Sequence, residues 1–380
     1  MDTPIKDSNL ALIGGPLDRA IRKSTAESEW NWEGAGTSAG IQIWRVENVR
    51  DEHGNPNFGI NKWPENRNGE FYNGDSYIVL QTVDNGVGGF DCDIYFWIGE
   101  NSSQDEYGVA AYKAVELDDL LGDAPIQHRE VQYFESAEFL NCFPKDSIKY
   151  LDGGIDGGFR QVGEDSGSLN VNIAHRLYLV KKIDRVTRCT QVPLASSSMN
   201  QSDAFVLDAG SVIYSWFGEN CSPFEKSKAS AIAHNLTIQR NGETSKEEDV
   251  GDDNADFWEA LGGNKGDIKD VGEDTINAKD STLKHDPKMY ILSDVDSILS
   301  VSECDSTDKS NLVSDDVCLI DAGTKVFVWI GKGSSLREQS QAMILAQKVI
   351  SGFNRGKGAN IVRVLQGQEG RVKGFNQMLA

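Results

Sequence analysis

The segment IYFWIGENSSQDEYG (residues 94–108) decides the architecture, because the chain contains it three times. Its counterparts are VIYSWFGENCSPFEKS (residues 212–227) and VFVWIGKGSSLREQS (residues 326–340). Each copy is a β-rich run ending in Trp, an apolar residue and Gly, followed by a polar loop and a Glu nine positions after the Trp. The three Trp residues are Trp97, Trp216 and Trp329. A spacing of more than a hundred residues is that of whole domains rather than solenoid units.

A second element precedes each copy: NGDSYIVLQTVDNG (residues 73–86), QSDAFVLDAG (201–210) and SDDVCLIDAG (314–323). Each has an Asp immediately before an apolar run that ends in Asp and a turn residue. The first copy is nine residues longer between its Asp and its Glu, within VDNGVGGFDCD (residues 83–93), which predicts a longer hairpin loop. The local plan is therefore strand, turn, strand and helix.

Helices and a first strand complete each unit. Polar capping residues precede Ala-rich amphipathic stretches in all three copies, as helix starts require. The runs IQIWRVENV (residues 41–49), HRLYLVKKI (175–183) and KMYILSDV (288–295) predict first strands. A mixed sheet flanked by helices follows, which is an α+β architecture. Residues 247–256 hold six carboxylates in ten and predict a solvated loop.

Composition narrows the class of protein. The net charge of −22 disfavours nucleic acid and anionic membranes as partners and favours cations, although solubility alone is an alternative explanation. No apolar run is long enough to span a membrane, and the N-terminus does not resemble a signal peptide. The six Cys residues form no metal-binding pattern and indicate buried thiols in the cytoplasm. The five His residues are scattered, and without a catalytic motif we expect no enzyme.

The repeated Asp and Glu suggest calcium. Calcium takes about six to eight oxygen ligands, often carboxylates mixed with backbone carbonyls. An Asp before a strand and a Glu on the following helix can meet at one end of a domain, and a repeated fold would bring them together three times. The alternative interpretation is that each acid is only a charge at a helix N-terminus or a surface residue. Spacing alone leaves both interpretations open.

The motifs quoted above, together with AYKAVELDDLLGDAPIQHREVQYFES (residues 111–136), resemble the gelsolin superfamily over about residues 30–380. With three domains, the chain is similar to the severin- and fragmin-like members. The resemblance implies three tandem domains, each a mixed five- or six-stranded sheet packed between a long and a short helix. The implied divisions are an N-terminal extension (1–29), domain 1 (30–158), domain 2 (168–265), a linker (266–285) and domain 3 (286–380).

The resemblance also implies one internal calcium site per domain and a second site in domain 1 that is shared with actin. The implied ligands of the internal sites are Gly74, Asp75, Glu106 and Ile155 in domain 1, Ser202, Asp203, Glu225 and Asp280 in domain 2, and Asp315, Asp316 and Glu338 in domain 3. The implied ligands of the shared site are Asp118, Asp123 and Pro125. Glu106 and Asp118 point about 120° apart on one helix, so one can face the domain and the other a partner.

Two surfaces are implied for actin, which would be bound as monomer and at the filament barbed end. The helix of domain 1 would lie in the actin cleft, and domain 2 would bind the filament side. The residues implied for these contacts are Asp105, Val109, Tyr112, Val115, Asp118, Asp119, Lys181, Lys182, Arg185 and Arg188. Their alternative roles are core packing for the apolar residues and a solvated strand face for the basic ones. The basic segment KDSIKYLDGG (residues 145–154) is interrupted by acids, so we expect weak phosphoinositide binding at most.

The expected function is calcium-dependent severing of actin filaments and capping of barbed ends by a monomer in the cytoplasm and actin cytoskeleton. Two alternatives remain open. The first is a calcium-dependent capper or monomer binder that does not sever. The second is a calcium-binding scaffold that does not bind actin.

Overall fold

A computed structural model describes residues 26–379 apart from certain gaps. The gaps are at 28, 51–55, 103, 123, 145–147, 155–174, 184–185, 240–243, 252, 263–267, 271–285, 296–297, 324, 336–337, 340–341, 344–345 and 347–358. The side chains of a few residues inside helices and strands, Asp105 and Glu106 among them, also lie outside the description.

Seven strands and two helices form the first repeat: β1 (Gly40–Arg50), β2 (Pro56–Lys62), β3 (Glu70–Tyr72), β4 (Ser76–Asp84), β5 (Phe90–Ile98), α1 (Gln104–Leu120), β6 (Ile126–Val131), α2 (Ala137–Leu140) and β7 (Lys149–Leu151). The second repeat comprises β8 (Arg176–Ile183), β9 (Val186–Val192), β10 (Ala204–Asp208), β11 (Val212–Phe217), α3 (Pro223–Gln239), β12 (Ser245–Glu248) and α4 (Ala255–Ala260). The third comprises β13 (Lys288–Val295), β14 (Ile298–Glu303), β15 (Val317–Asp321), β16 (Lys325–Ile330) and β17 (Asn360–Leu365), with helical positions between 338 and 346.

Each of the three repeats contains a five-stranded mixed sheet of the same design. The strand orders are β2-β1-β4-β5-β6, β9-β8-β10-β11-β12 and β14-β13-β15-β16-β17. In each sheet the last strand is parallel to its neighbour and the other pairs are antiparallel. The predicted α+β class and the mixed five-stranded sheet are confirmed. No helix in the described part of the chain is both long and apolar enough to cross a membrane.

The Gly of each Trp-x-Gly motif is required by close backbone packing. A Cβ added at Gly99, Gly218 or Gly331 would lie 2.2–2.4 Å from a carbonyl oxygen of the loop that precedes the repeat's Asp. At each position the Gly N–H donates to the carbonyl of that Asp, at 3.0–3.1 Å. Since no side chain fits, the motif fixes the Asp loop against the start of the helix in all three repeats.

The repeats join one another in two different ways. Strand β17 of the third repeat pairs antiparallel with β6 of the first, so ten strands form one continuous sheet. Between the first and second repeats, β7 pairs with β9 through Tyr150 and Thr190. One apolar cluster also runs through both, with Trp97, Phe71 and Tyr150 on one side and Val180 and Ile232 among those on the other.

The acidic stretch at 247–256 is largely exposed, as the sequence predicts, but it is a loop only between β12 and α4. Its first residues end β12, which pairs with β11, and its last residues open α4. Asn254 caps α4 by accepting from the Phe257 backbone N–H at 2.9 Å. Phe257 and Trp258 of α4 then bury their rings in the core of the second repeat, and this burial anchors the exposed segment at that end.

Candidate functional site

Asp75 of the first repeat is fully buried at the end of its sheet. Arg45 of β1 holds one carboxylate oxygen, Oδ2, through Nε at 2.8 Å and through Nη2. The other oxygen, Oδ1, faces Gly154, where an added Cβ would lie 2.8 Å from it. Gly74 donates its N–H to the Gly153 carbonyl at 2.8 Å. A buried carboxylate oxygen beside side-chain-free backbone is a cradle in which a small cation can meet carboxylate and carbonyl oxygens together.

Asp203 of the second repeat is also buried, whereas Asp316 of the third is half-exposed. Asp203 accepts from Asn200 Nδ2 at 2.9 Å and lies 4.0 Å from Lys181 Nζ. Ser202 is partly exposed and donates its N–H to Asn200 Oδ1 at 2.8 Å. Asp315 is exposed in the turn before Asp316. Among the described residues, Asn200 and Lys181 thus flank the Asp203 carboxylate, whereas Asp316 is partly open to solvent.

Glu225 and Glu338 belong to capping boxes at the N-termini of their helices, with Ser222 and Ser335 as the cap residues. Glu225 Oε2 accepts from the N–H and hydroxyl of Ser222, and Oε1 accepts from the Lys182 N–H at 2.7 Å. Glu338 repeats this arrangement with the Ser335 N–H at 2.7 Å and the Asp294 N–H at 2.6 Å. These are capping boxes extended by a bond to the neighbouring strand. Both carboxylates are thus used structurally, as the alternative interpretation of the sequence supposes.

The capping role does not separate Glu225 from Asp203. Burial, with the neighbouring charges of Glu225 and Asp203, raises the pKa of Cys221 to about 12. Glu225 accepts from the backbone of Lys182, and Asp203 faces the side chain of Lys181, so both carboxylates lie beside the same end of β8. No cluster of three or more His, Cys, Asp or Glu side chains able to hold a metal occurs in the described part of the chain. A calcium site here would have to draw on backbone carbonyls and would have to release the capping N–H donors.

Asp118 lies on α1 at the junction with the third repeat. Its Oδ2 accepts from Arg363 Nη1 of β17 at 2.7 Å and from Gln127 Nε2 at 2.8 Å. Its Oδ1 is buried and has no hydrogen-bond partner among the described residues. Burial raises the pKa of Asp118, and Arg363 and Gln127 offset part of that rise. An oxygen of this kind, without a donor, suits a cation as its ligand.

The apolar residues of α1 that the resemblance implies as actin contacts differ in their exposure. Tyr112 is 47% exposed, whereas Val109 and Val115 are half-buried. Val109 packs against the core cluster below the helix. Asp119 is buried beside Asp118, and Pro125 is buried at the start of β6.

The segment before β1, which includes Trp32, covers another side of α1. Trp32 donates from Nε1 to Glu116 at 2.8 Å and packs edge-on against Trp44, with ring centroids 4.9 Å apart. Lys113 bridges Glu116, at 2.9 Å, and Glu29, at 3.3 Å. The signal that could have located this contact is the spacing of Lys113 and Glu116 on one face of the helix.

The basic residues of the second repeat are not a uniform surface patch. Arg188 is buried, with Nη1 2.8 Å from Glu135 Oε2 and 2.9 Å from the Tyr150 hydroxyl of the first repeat. Lys181 faces Asp203, as described above. Lys182 is exposed and holds its ammonium 4.6 Å from the ring centroid of Phe224, which is itself 65% exposed. Lys182 thus faces solvent, while Arg188 joins two repeats.

The junction between the first and third repeats, termed here the β6–β17 seam, was not predicted from the sequence. Three cations of the third repeat face carboxylates of the first: Arg363 faces Asp118, Arg371 faces Asp91 and Asp93, and Lys325 faces Glu138. Arg129 of β6 also donates to the Ala359 carbonyl at 2.9 Å. The seam is therefore held by strand pairing and ion pairs, to which Ile126 and Met343 add apolar contact.

Several residues assigned from the sequence lie outside the described part of the chain. They are Asp123, Ile155, Arg185 and Asp280, together with the side chains of Asp105 and Glu106. Their assigned roles stay predictions.

Comparison with known proteins adds independent information. The family described as the gelsolin repeat matches residues 65–140, 185–258 and 300–372. Gelsolin-like protein 1 of Lumbricus terrestris is 36% identical over 335 residues, 86% of this chain and 84% of that protein. Gelsolin-like protein 2 of the same worm is 34% identical over 379 residues, 99% of this chain and 96% of that protein. Severin of Echinococcus granulosus is 37% identical over 361 residues, 91% of this chain and 89% of that protein.

Proposed function

The chain belongs to the gelsolin family, a family of actin-binding regulators, and we propose that it severs actin filaments and caps their barbed ends when calcium is present. It would do so as a monomer in the cytoplasm, on the actin cytoskeleton. The single observation that carries the calcium dependence is the position of Asp118. Its Oδ2 is held by Arg363 across the β6–β17 seam, and its Oδ1 is buried without a donor from the part of the chain that the structure describes.

Calcium, when bound, would supply a doubly charged centre that carboxylates of this chain and of actin can share. Asp118 would hold it there, with Asp123 and Pro125 contributing carbonyl oxygens. In the described arrangement Arg363 neutralises Asp118 instead. Engaging a partner through Asp118 therefore requires the third repeat to separate from the first, which would expose α1.

The internal sites would use Asp75, Asp203 and Asp316 with Glu106, Glu225 and Glu338. Carbonyl ligands would come from Gly74, Ile155, Ser202 and Asp315, and Asp280 would complete the second site. In the second and third repeats, the Glu would exchange its capping donors for the cation. This exchange couples cation binding to the ends of the helix and of the neighbouring strand.

Actin contacts would divide between two repeats. Tyr112, with Asp105, Val109, Val115 and Asp119 around it, would place α1 in the cleft of actin. Lys182 and Arg185 would contact the filament side from the second repeat. What supports the first contact is the exposure of Tyr112, and what supports the second is the solvent-facing ammonium of Lys182 beside an exposed ring.

A capper that does not sever is the second candidate, and one observation favours it. Severing needs a firm hold on the filament side, yet Arg188 is buried against Glu135, and Lys181 faces Asp203. The basic surface left for the filament is correspondingly small. Lys149 is likewise buried and paired with Glu70 at 2.8 Å, which supports weak phosphoinositide binding at most.

Fluorescence microscopy of single filaments distinguishes these functions. We expect added protein to increase filament number within minutes in calcium and to leave filaments intact in chelator. Blocked barbed-end growth at constant filament number would reject severing in favour of capping. A pelleting assay with Asp118→Ala tests actin binding itself. Equal cosedimentation of this variant and the natural chain with actin filaments would contradict the role of Asp118. If the natural chain does not cosediment with filaments, the result would support a calcium-binding scaffold that does not bind actin.

A further inference from the structure

Arg45 contacts the first repeat's buried aspartate directly. Its guanidinium donates from both Nε and Nη2 to Asp75 Oδ2, and the Asp75 side chain has no exposed surface. A buried carboxylate is costly unless a cation or strong donors compensate its lost hydration. Arg45 supplies this compensation from a side chain that is itself only 15% exposed.

An aromatic cluster fixes the position of this guanidinium. Its central carbon lies 4.8 Å from the ring centroid of Tyr72 and 5.6 Å from that of Trp63. Cation–π contacts of this kind favour the charged group at one place beside the carboxylate. Arg67 lies over the same two rings, at 4.4 Å from Trp63 and 5.6 Å from Tyr72, but pairs with Glu70 instead of Asp75. The chain thus contains a matched arginine that does not contact the site.

The second repeat has a related arrangement that uses a different strand position. Lys181 approaches the buried Asp203 to 4.0 Å, although its place in β8 is not the one that Arg45 has in β1. The half-exposed Asp316 of the third repeat can instead be solvated by water. A cation therefore accompanies the aspartate in the two repeats where that residue is buried.

We propose that Arg45 is an internal counter-cation that stabilises Asp75 without calcium and thereby sets the calcium concentration at which the first internal site fills. The inference rests on the proposed calcium function. A calcium ion at Asp75 meets the repulsion of a fixed positive charge a few ångströms away, and it also competes for the same carboxylate. Both effects weaken calcium binding relative to a site without the arginine.

The test is calorimetric titration of calcium into the full chain, with Asp203→Asn and Asp316→Asn present throughout to leave the first internal site. Arg45→Gln, Arg45→Lys and the matched Arg67→Gln and Arg67→Lys are compared in this background. We expect Arg45→Gln to tighten calcium binding by about tenfold or more because a unit charge leaves the site. Arg45→Lys should tighten it less, since the charge stays while the paired donors are lost, and neither Arg67 variant should change it.

Thermal unfolding in chelator gives a second measurement that does not depend on the titration. Arg45→Gln should melt at a lower temperature than Arg67→Gln in chelator, and saturating calcium should raise its melting temperature by more. Should Arg45→Gln not fold, the comparison of Arg45→Lys with Arg67→Lys decides. Unchanged or weaker calcium binding in the Arg45 variants overturns this inference while leaving the proposed function intact. No calcium binding by the natural chain overturns the proposed calcium dependence itself.

Discussion

At the scale of single residues, Arg363 is the group that holds Asp118 in the described arrangement. Because Arg363 and a shared calcium ion would compete for the same carboxylate, we predict that Arg363→Ala lowers the calcium concentration needed for half-maximal barbed-end capping. A shift of about three- to tenfold is expected from the loss of one charge-assisted pair. The measurement is the rate of actin elongation from filament seeds across a calcium titration.

Lys288→Ala is the matched control for this prediction. Lys288 pairs with Glu303 at 2.8 Å within the third repeat and lies on the surface. Its removal should leave the calcium midpoint unchanged. Equal midpoints for Arg363→Ala and the natural chain would contradict the role given to the Arg363–Asp118 pair.

Glu130 predicts a pH dependence of stability. Burial raises the pKa of Glu130 from 4.5 to about 8, although the Ser136 N–H and hydroxyl lower it in part. Between these two values the folded chain keeps a proton that the unfolded chain loses, so stability falls as pH rises. The expected slope is about 1.4 kcal/mol per pH unit for this group.

Glu130→Gln should remove that slope, because an amide can still accept from the Ser136 N–H and donate to its hydroxyl. Urea unfolding in chelator at pH 5 and pH 8 measures it: the variant should gain stability relative to the natural chain as pH rises. Glu138→Gln, at a partly exposed carboxylate on the same segment, is the control and should show no such gain. A parallel pH dependence in Glu130→Gln and the natural chain would refute the assignment.

Strands and buried residues could be predicted from the sequence where the spacing of neighbouring residues determines them. The β-rich runs that end in Trp97, Trp216 and Trp329 form the predicted strands, and all three Trp side chains are buried. The partners of Arg188 and Asp118 could not be predicted from spacing. Glu135 and Arg363 lie 53 and 245 positions away in the sequence, and only tertiary packing brings these charges together.

At the scale of elements, the Trp-x-Gly motif should tolerate no side chain at its glycine. We predict that Gly99→Ala destabilises the chain by about 2 kcal/mol or more, because the new Cβ would meet the Asn73 carbonyl oxygen at 2.3 Å. Gly108→Ala is the contrasting variant, since it lies within α1 with nothing near its Cβ position. It should stabilise the helix by about 0.5–1 kcal/mol. Differential scanning calorimetry measures both, and similar melting temperatures would contradict the packing argument.

Strand edges explain why the connections between repeats could not be predicted. Both β6 and β17 are the last strands of their five-stranded sheets, so each presents unpaired backbone groups to any compatible edge. An alternation of apolar and polar residues identifies a strand, but it does not indicate which edge strand of another repeat will pair with it. The pairing of His128 with Val362 is therefore visible only in the structure.

At the scale of the whole molecule, the two junctions differ in chemistry. The first and second repeats share a continuous apolar cluster and the buried Arg188–Glu135 pair. The first and third repeats meet mainly through three paired strand residues and ion pairs, of which Arg363–Asp118 is buried and Arg371–Asp93 is partly exposed, with smaller apolar contacts from Ile126 and Met343. Separating the first and second repeats would expose an apolar core. Separating the first and third repeats would mainly exchange polar contacts for contacts with water. The β6–β17 seam is therefore the junction expected to open.

A disulfide across this seam tests whether opening is required for function. His128 and Val362 are directly opposed in antiparallel strands, which suits a disulfide, so we predict that His128→Cys with Val362→Cys locks the seam under oxidising conditions. The oxidised variant should neither sever nor cap filaments in saturating calcium, and reduction should restore both activities. Each single variant controls for the substitution itself. Ser293→Cys with Ser300→Cys, an opposed pair within the third repeat, controls for oxidation and should stay active. Equal severing rates of the locked chain before and after reduction would show that actin is engaged without opening the seam.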